Sequence, residues 1–157
     1  MRMRWAIVAG VIAIAATAFA QAGLPDELAG YLGWTRANAD RINTPGGHRG
    51  SRDVYFNAPL AEAVLLGSFV YPFSEGTIFL NEGTDPATLT VTTLLARRKV
   101  AGFDPANGNW QYGVFRREGA GPLSGAWFAV AQQERCVACH VKARDQDYAF
   151  TPFTSRR

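Results

Sequence analysis

Apolar and polar residues follow one another in short runs along most of the chain. Runs rich in valine, threonine, leucine and aromatic residues are separated by glycine, proline and asparagine turns. This pattern predicts β-strands over residues 53–56, 77–81, 88–100 and 110–116. The last two strands should pair as an antiparallel hairpin, because the loop between them is rich in turn-forming residues.

Helical spacing of apolar residues is confined to two places. Residues 24–39 carry apolar side chains at i, i+3 and i+4, after a proline and two acidic residues that suit a first helical turn. Asn57 is a suitable cap for a brief helix over residues 59–66. Residues 126–133 fit either a strand or a helix. The pattern therefore predicts an α+β fold, mainly an antiparallel sheet with an N-terminal helix.

A short motif near the C-terminus adds chemistry to this fold. Cys136 and Cys139 are separated by two residues, and His140 follows directly. Cys-x-x-Cys-His is the attachment signature of a c-type haem, in which two thiols bond to one porphyrin and the histidine ligates the iron. We therefore expect one covalently attached haem c, anchored by Cys136 and Cys139 and ligated at its iron by His140.

Two other interpretations of the cysteine pair are open. A Cys-x-x-Cys pair is also found in redox dithiols and as half of a zinc site. A zinc site needs four ligands, and the rest of the chain offers only His48 as a typical nitrogen donor and no further cysteine. A redox dithiol does not require a histidine after its second cysteine.

Four-helix haem bundles are excluded, because the middle of the chain has short β-type runs instead of long amphipathic helices.

The first twenty residues have the features of a signal peptide. A basic start is followed by an apolar run over residues 5–18 and by a small-x-small cleavage site before Gln21. The run is shorter than the about 20 residues of a membrane span, although an uncleaved anchor is the alternative. We expect a signal peptide over residues 1–20, a single mono-haem domain over residues 21–157, and a periplasmic location.

Removal of the leader changes the composition of the domain. Both methionines, Met1 and Met3, lie in the leader, so the domain has no methionine to offer as an iron ligand. Without Arg2 and Arg4 the formal charge falls from +3 to +1. Basic and aromatic residues do not interleave, so we expect no nucleic-acid partner.

These features resemble the cytochrome P-460 family, which includes the β-type cytochromes c′. The similarity rests on residues 48–57, 72–82 and 103–110, and on the haem motif followed by residues 147–151. The resemblance implies an antiparallel β fold with helices, a C-terminal haem c, a homodimer and an open distal side of the iron. Members use that side to oxidise hydroxylamine or to bind nitric oxide and carbon monoxide.

One departure from the family pattern affects the expected activity. In the hydroxylamine-oxidising members a lysine of the distal sheet is covalently joined to the porphyrin, but residues 77–81 contain none. Lys99 is expected at a solvated rim and Lys142 outside. The β-type cytochromes c′ are therefore the nearer relatives. We expect binding or processing of nitric oxide or related small nitrogen species, with a periplasmic redox partner. A hydroxylamine-oxidising haem enzyme and a bis-histidine electron carrier are the alternatives.

Several further side chains are candidates for the surroundings of the haem. His48 is either a sixth iron ligand or a loop histidine. For the aromatic candidates, the alternative to a role at the haem is ordinary packing in the core. For the charged candidates, it is an exposed position on the surface. They are Phe56 and Phe79 as an apolar distal wall, Arg52 and Glu82 as distal hydrogen-bonding or acid–base groups, and Tyr148 and Phe150 beneath the proximal imidazole.

Overall fold

The computed structural model describes residues 23–38, 40–43, 48, 51–57, 60, 61 and 70–150. Its centre is a seven-stranded antiparallel sheet in the order β1-β3-β4-β5-β6-β7, with β2 also paired to β3. This arrangement confirms the predicted α+β fold dominated by an antiparallel sheet. The strands are β1 Thr35–Arg36, β2 Ile42–Asn43, β3 Ser51–Phe56, β4 Ile78–Thr84, β5 Val91–Lys99, β6 Trp110–Arg117 and β7 Leu123–Trp127.

The predicted hairpin is formed by β5 and β6. Arg97 lies opposite Tyr112 in its antiparallel register. The connecting loop contains a 3₁₀ turn, Pro105–Asn107, and ends at Gly108 with φ 68°. Strand β5 begins later than predicted, because the Asp85 carboxylate accepts hydrogen bonds from the backbone N–H groups of residues 87 and 88 and closes a turn there.

The predicted N-terminal helix over residues 24–39 is wrong. Two 3₁₀ turns, Asp26–Leu28 and Tyr31–Gly33, are followed directly by β1. Gly30 lies between the turns with φ 79°, which is outside the helical region. The backbone that follows pairs with β3 instead of continuing a helix. Leu28 and Tyr31 of the predicted apolar face are buried, whereas Leu32 is 48 % exposed. The sheet edge, not the helical spacing, determined the conformation of this segment.

The C-terminal region is helical beyond β7. A 3₁₀ turn, Val130–Gln132, leads into α1, Glu134–His140, and a second 3₁₀ segment, Val141–Gln146, follows. The undetermined residues 126–133 thus contain both the end of a strand and a turn. Of the helix predicted at 59–66, only residues 60 and 61 are described, and both are helical. The predicted signal peptide, residues 1–20, lies outside the described residues. In the part of the chain that is described, no helix has the length and apolar character needed to cross a membrane.

The sheet separates two apolar clusters. Alternation along β5 shows this, since Leu94 and Ala96 belong to the cluster on one face while Arg97 contacts the cluster on the other. The first cluster packs against α1; it includes Val54, Phe56, Phe73, Phe79, Trp110, Tyr112 and Tyr148, with Cys136 and Val137 against it. The second cluster packs against the N-terminal turns; it includes Leu28, Tyr31, Ile78, Leu80, Leu94, Ala96, Phe115 and Leu123.

Candidate functional site

Helix α1 places the three motif residues on one face. Cys136, Cys139 and His140 stand at i, i+3 and i+4, which are neighbouring positions on a helix surface. Cys136 is half-buried and packs against the first cluster, Cys139 is exposed, and His140 is 9 % exposed. Two thiols and one imidazole therefore lie close together, with the cysteines nearer the surface.

Gln133 anchors the start of this helix. Its buried amide nitrogen donates to the Asp104 carboxylate at 2.9 Å and to the Trp110 carbonyl at 3.1 Å. Its amide oxygen accepts a hydrogen bond from the Tyr112 N–H at 3.2 Å. These bonds tie the helix to β6 and to the hairpin loop. Sequence reasoning missed Gln133, because a glutamine next to a motif carries no signal that it will be buried.

The imidazole of His140 is oriented by a backbone carbonyl. Nδ1 lies 2.7 Å from the Tyr148 oxygen. A carbonyl can only accept, so Nδ1 carries the ring proton and Nε2 keeps its lone pair. Burial and the positive charge of Arg97 lower the pKa of His140 to about 4. The ring is therefore neutral at physiological pH, as a metal ligand must be.

A strained turn presents that carbonyl. Asp147 and Tyr148 both have positive φ, 48° and 63°, which is uncommon for residues with side chains. The Asp147 carboxylate holds the turn by accepting from Lys99 Nζ at 2.5 Å, from the Phe73 N–H at 2.8 Å and from Trp110 Nε1 at 3.3 Å. Gly108 is needed opposite, because a Cβ there would lie 2.6 Å from the Tyr148 ring.

The expectation that Lys99 lies at a solvated rim is wrong. Its side chain is 7 % exposed and points to the first cluster, where its ammonium pairs with Asp147 and lies 5.2 Å from the Trp110 ring centre. The polar run at residues 97–99 suggested a solvated strand end. Strand alternation instead turns Arg97 and Lys99 inward and Arg98 towards Glu27 on the other face. Lys142 is exposed, as expected.

The environment of the cysteines is unlike that of a redox dithiol. Burial raises the pKa of the Cys136 thiol. Redox-active cysteines normally have a lowered pKa, because the thiolate is the reactive form. Among the residues that the structure describes, no three His, Cys, Asp or Glu side chains are grouped to hold a metal ion. The placement favours the haem interpretation over the dithiol one.

A cavity of about 470 Å³ reaches the start of α1, although Cys136, Cys139 and His140 are not among its described lining residues. Arg135, next to Cys136 in sequence, forms part of its wall together with Arg52 and Arg116. His48, Asn81 and Leu95 also line it, and no aspartate or glutamate is among the described residues that line it. The cavity is therefore cationic. Its arginines come from β3, β6 and the start of α1, so only the fold brings them together.

His48 lies on this cavity and near His140. The two ring centres are 6.0 Å apart, with an angle of 53° between the planes, and His48 is half-buried. Tyr112 and Phe150 also contact the His140 ring, at centroid distances of 5.1 and 5.4 Å. Phe150 is otherwise largely exposed. The structure therefore brings His48, Phe150 and Tyr112 close to the motif histidine.

The other sequence candidates lie further from the cavity. Phe56 and Phe79 are each 1 % exposed, belong to the first cluster and do not line the cavity. Phe79 stacks under Arg97, whose guanidinium faces Nδ1 of His140. Their role as a distal wall stays a prediction. Glu82 points to the opposite face, where it is buried beside Tyr55.

The donor set and the cavity together fit a haem. Two thiols can form thioethers with one porphyrin, and a neutral imidazole with a free Nε2 can ligate the iron. The cationic cavity beside them suits the two carboxylates of a porphyrin.

Fold and site thus define the class as a sheet-based haem cytochrome. The chain belongs to the cytochrome P460 family, whose family model matches residues 29–151. Membership confirms the resemblance found in the sequence and implies a haem cofactor and chemistry on nitrogen species. The closer relation to β-type cytochromes c′ stays a prediction. A search of curated proteins returned no match.

Proposed function

We propose that the protein is an exported c-type cytochrome with one covalently bound haem, which binds or processes nitric oxide or a related small nitrogen species. The observation that carries this proposal is the placement of His140. Its Nδ1 lies 2.7 Å from the Tyr148 carbonyl oxygen, which leaves Nε2 free for a metal, and it shares a helix face with two thiols.

Different residues of the site would bind different parts of the cofactor. Cys136 and Cys139 would form the thioether bonds, and His140 would ligate the iron. Arg52, Arg116 and Arg135 would bind the porphyrin carboxylates, since charge-assisted hydrogen bonds from arginine are the strongest contacts available to them. When bound, the haem iron supplies ligand binding and one-electron exchange.

Nitric oxide is favoured over hydroxylamine by the residues near the cavity. Asn81 lines the cavity from the strand segment in which a cross-linking lysine is expected in hydroxylamine-oxidising members. Lys99 is engaged by Asp147 and is not among the cavity-lining residues. A porphyrin without a lysine cross-link would therefore keep ordinary c-type electronic properties.

The proposed setting is the periplasm, where the protein would act as a homodimer with a separate redox partner. The leader pattern of residues 1–20 supports export. The homodimer is carried over from the family resemblance.

The mass of the denatured protein tests the attachment. We expect the polypeptide plus one haem after expression in cells competent to attach haem. Cys136→Ser and Cys139→Ser should each leave at most one thioether, and the double variant should leave none. Ala138→Ser, which changes an exposed residue between the two cysteines, is the matched control and should retain the full haem mass. A wild-type mass equal to that of the polypeptide alone would refute the proposal.

A bis-histidine electron carrier is the second candidate. Two imidazoles on one metal, with metal–nitrogen bonds of about 2 Å, have ring centres on the order of 6 Å apart. The 6.0 Å between His48 and His140 agrees with that separation. The spin state of the reduced iron, discussed below, distinguishes the two candidates.

A further inference from the structure

Arg97 is a charged residue in an unusual place. It lies near the end of β5, its side chain points to the first cluster, and it is 5 % exposed. Its guanidinium stacks on Phe79 at 4.4 Å and on Trp110 at 4.7 Å from the ring centres. It forms no ion pair with a carboxylate of the described residues. Burying an arginine in this way costs several kcal/mol by the usual magnitudes, so a plain packing role does not account for it.

The contacts of Arg97 lead to the proximal side of the motif histidine. Nη1 donates a hydrogen bond to the Tyr148 carbonyl, the group that also accepts from His140 Nδ1. Nη1 lies 3.4 Å from Nδ1 itself. Both nitrogens carry protons in the tautomer that leaves Nε2 free, and a carbonyl oxygen has two lone pairs to accept them. Arg97 and His140 thus share one acceptor.

The acceptor is held by a second residue of the same strand. Lys99 stands two residues beyond Arg97 on the same face of β5, and its ion pair with Asp147 holds the turn that carries the Tyr148 carbonyl. Strand β5 therefore supports the imidazole at two points. One contact holds the turn, and the other binds the carbonyl directly.

The partner of the second ring nitrogen controls how strongly a metal-bound histidine donates electrons. A carboxylate partner attracts the Nδ1 proton and makes the ligand more basic. The Tyr148 carbonyl is neutral and already accepts from a cation, so it attracts that proton less. The fixed charge of Arg97 also opposes negative charge on the ring and disfavours the more positive, oxidised iron.

We propose that Arg97 is a positioning residue for the proximal ligand. It holds the Tyr148 carbonyl and places a buried positive charge behind the His140 imidazole. The iron of the attached haem consequently has a higher reduction potential and a weaker bond to histidine than His140 would otherwise confer. This inference rests on the haem attachment proposed above.

Redox titration of purified, haem-loaded variants tests the inference. Arg97→Gln keeps a donor for the carbonyl but removes the charge. It should shift the reduction equilibrium towards the oxidised form by about tenfold or more, which corresponds to about 59 mV for one electron. Arg97→Lys, which keeps the positive charge, should have a reduction potential close to that of the wild type. Arg98→Gln is the matched control: it removes the same charge from the next residue of the strand, which faces Glu27 and Trp127 on the other side of the sheet, and should change the potential little.

Resonance Raman spectra of the ferrous proteins give a second readout, because the iron–histidine stretching frequency should rise in Arg97→Gln. Equal potentials in Arg97→Gln and Arg98→Gln would overturn the inference while leaving the proposed function intact. If Arg97→Gln does not fold, the wild-type stretching frequency decides: a value typical of neutral imidazole supports the inference, and one typical of imidazolate overturns it. A wild-type protein without covalent haem would overturn the proposed function and this inference with it.

Discussion

The Lys99 ammonium and the Asp147 carboxylate form a buried ion pair, with Nζ 2.5 Å from Oδ2 and both side chains less than 8 % exposed. The pair joins the last residue of β5 to the turn that follows the haem motif. Since that turn presents the Tyr148 carbonyl to His140, the ion pair connects the stability of the sheet with the orientation of the axial ligand.

Removing Asp147 from this pair should lower stability more than removing Lys99. Asp147→Asn leaves a buried ammonium without a counter-charge and should lower the free energy of unfolding by about 3–5 kcal/mol. Lys99→Met leaves Asp147 with two N–H donors, from Phe73 and Trp110, and should cost only about 1–3 kcal/mol. Urea unfolding measures both. Glu27→Gln, which weakens a half-exposed ion pair, should cost less than either; a larger loss for Lys99→Met than for Asp147→Asn would contradict the assignment.

Lys99 should be free of the haem despite its inward orientation. Its amine is held by Asp147, so we expect protease digestion to release a haem peptide that contains the Cys136 segment and no Lys99 segment. The visible bands should be those of an ordinary c-type haem. Hydroxylamine turnover should be slow or absent, and nitric oxide should bind tightly. A haem peptide that contains both segments, identified by mass spectrometry, would instead favour the hydroxylamine oxidase.

The sixth coordination position can be assigned from one absorption spectrum. We expect the ferrous protein to be mostly high-spin and to bind carbon monoxide readily. Both methionines lie in the predicted leader, and three glycines surround His48 in the sequence, so fixing it as a ligand would cost backbone entropy. His48→Ala should then leave the spectrum nearly unchanged, as should the control Arg49→Ala. A low-spin ferrous spectrum that becomes high-spin only in His48→Ala would establish the bis-histidine carrier.

Glu82 should make stability depend on pH. Burial raises its pKa in the folded state, and one carboxylate oxygen has no hydrogen-bond partner among the described residues. The folded state therefore binds more protons than the unfolded state between the two pKa values, so stability falls as the pH rises through that window. Tyr55, Asp53 and Arg41 also act on this carboxyl group, and the effect of burial is the largest.

The Glu82→Gln variant isolates this effect. Relative to wild type, its free energy of unfolding should increase as the pH is raised from 4 to 8, about 1.4 kcal/mol for each unit of pKa difference between the folded and unfolded states. Urea titrations across this range measure it. Glu75→Gln, at an exposed position, should show no such trend. A Glu82→Gln difference that stays constant with pH would show that the pKa of Glu82 is the same in the folded and unfolded states.

Local chemistry was sufficient to predict part of this protein from its sequence. The Cys-x-x-Cys-His spacing alone predicted that Cys136, Cys139 and His140 act together, because two thiols and an imidazole at this spacing are the attachment signature of a c-type haem. The β5–β6 hairpin followed in the same way, since its strands and its turn are adjacent in the chain. The absence of methionine after Met3 likewise required no structure.

Contacts between distant segments were decided only by the tertiary structure. Residues 24–39 have helical spacing, but pairing with β3 imposes extended backbone at their end. In the sequence, three consecutive charged residues, Arg97, Arg98 and Lys99, suggest a single solvated strand end. The sheet divides it between two faces, and Asp147, 48 residues beyond Lys99, makes burial of its charge tolerable. The cationic cavity has the same origin, because Arg52, Arg116 and Arg135 meet only when β3, β6 and α1 pack together. Sequence spacing determined the cofactor motif, whereas the charges that surround it depend on long-range packing, which no local pattern encodes.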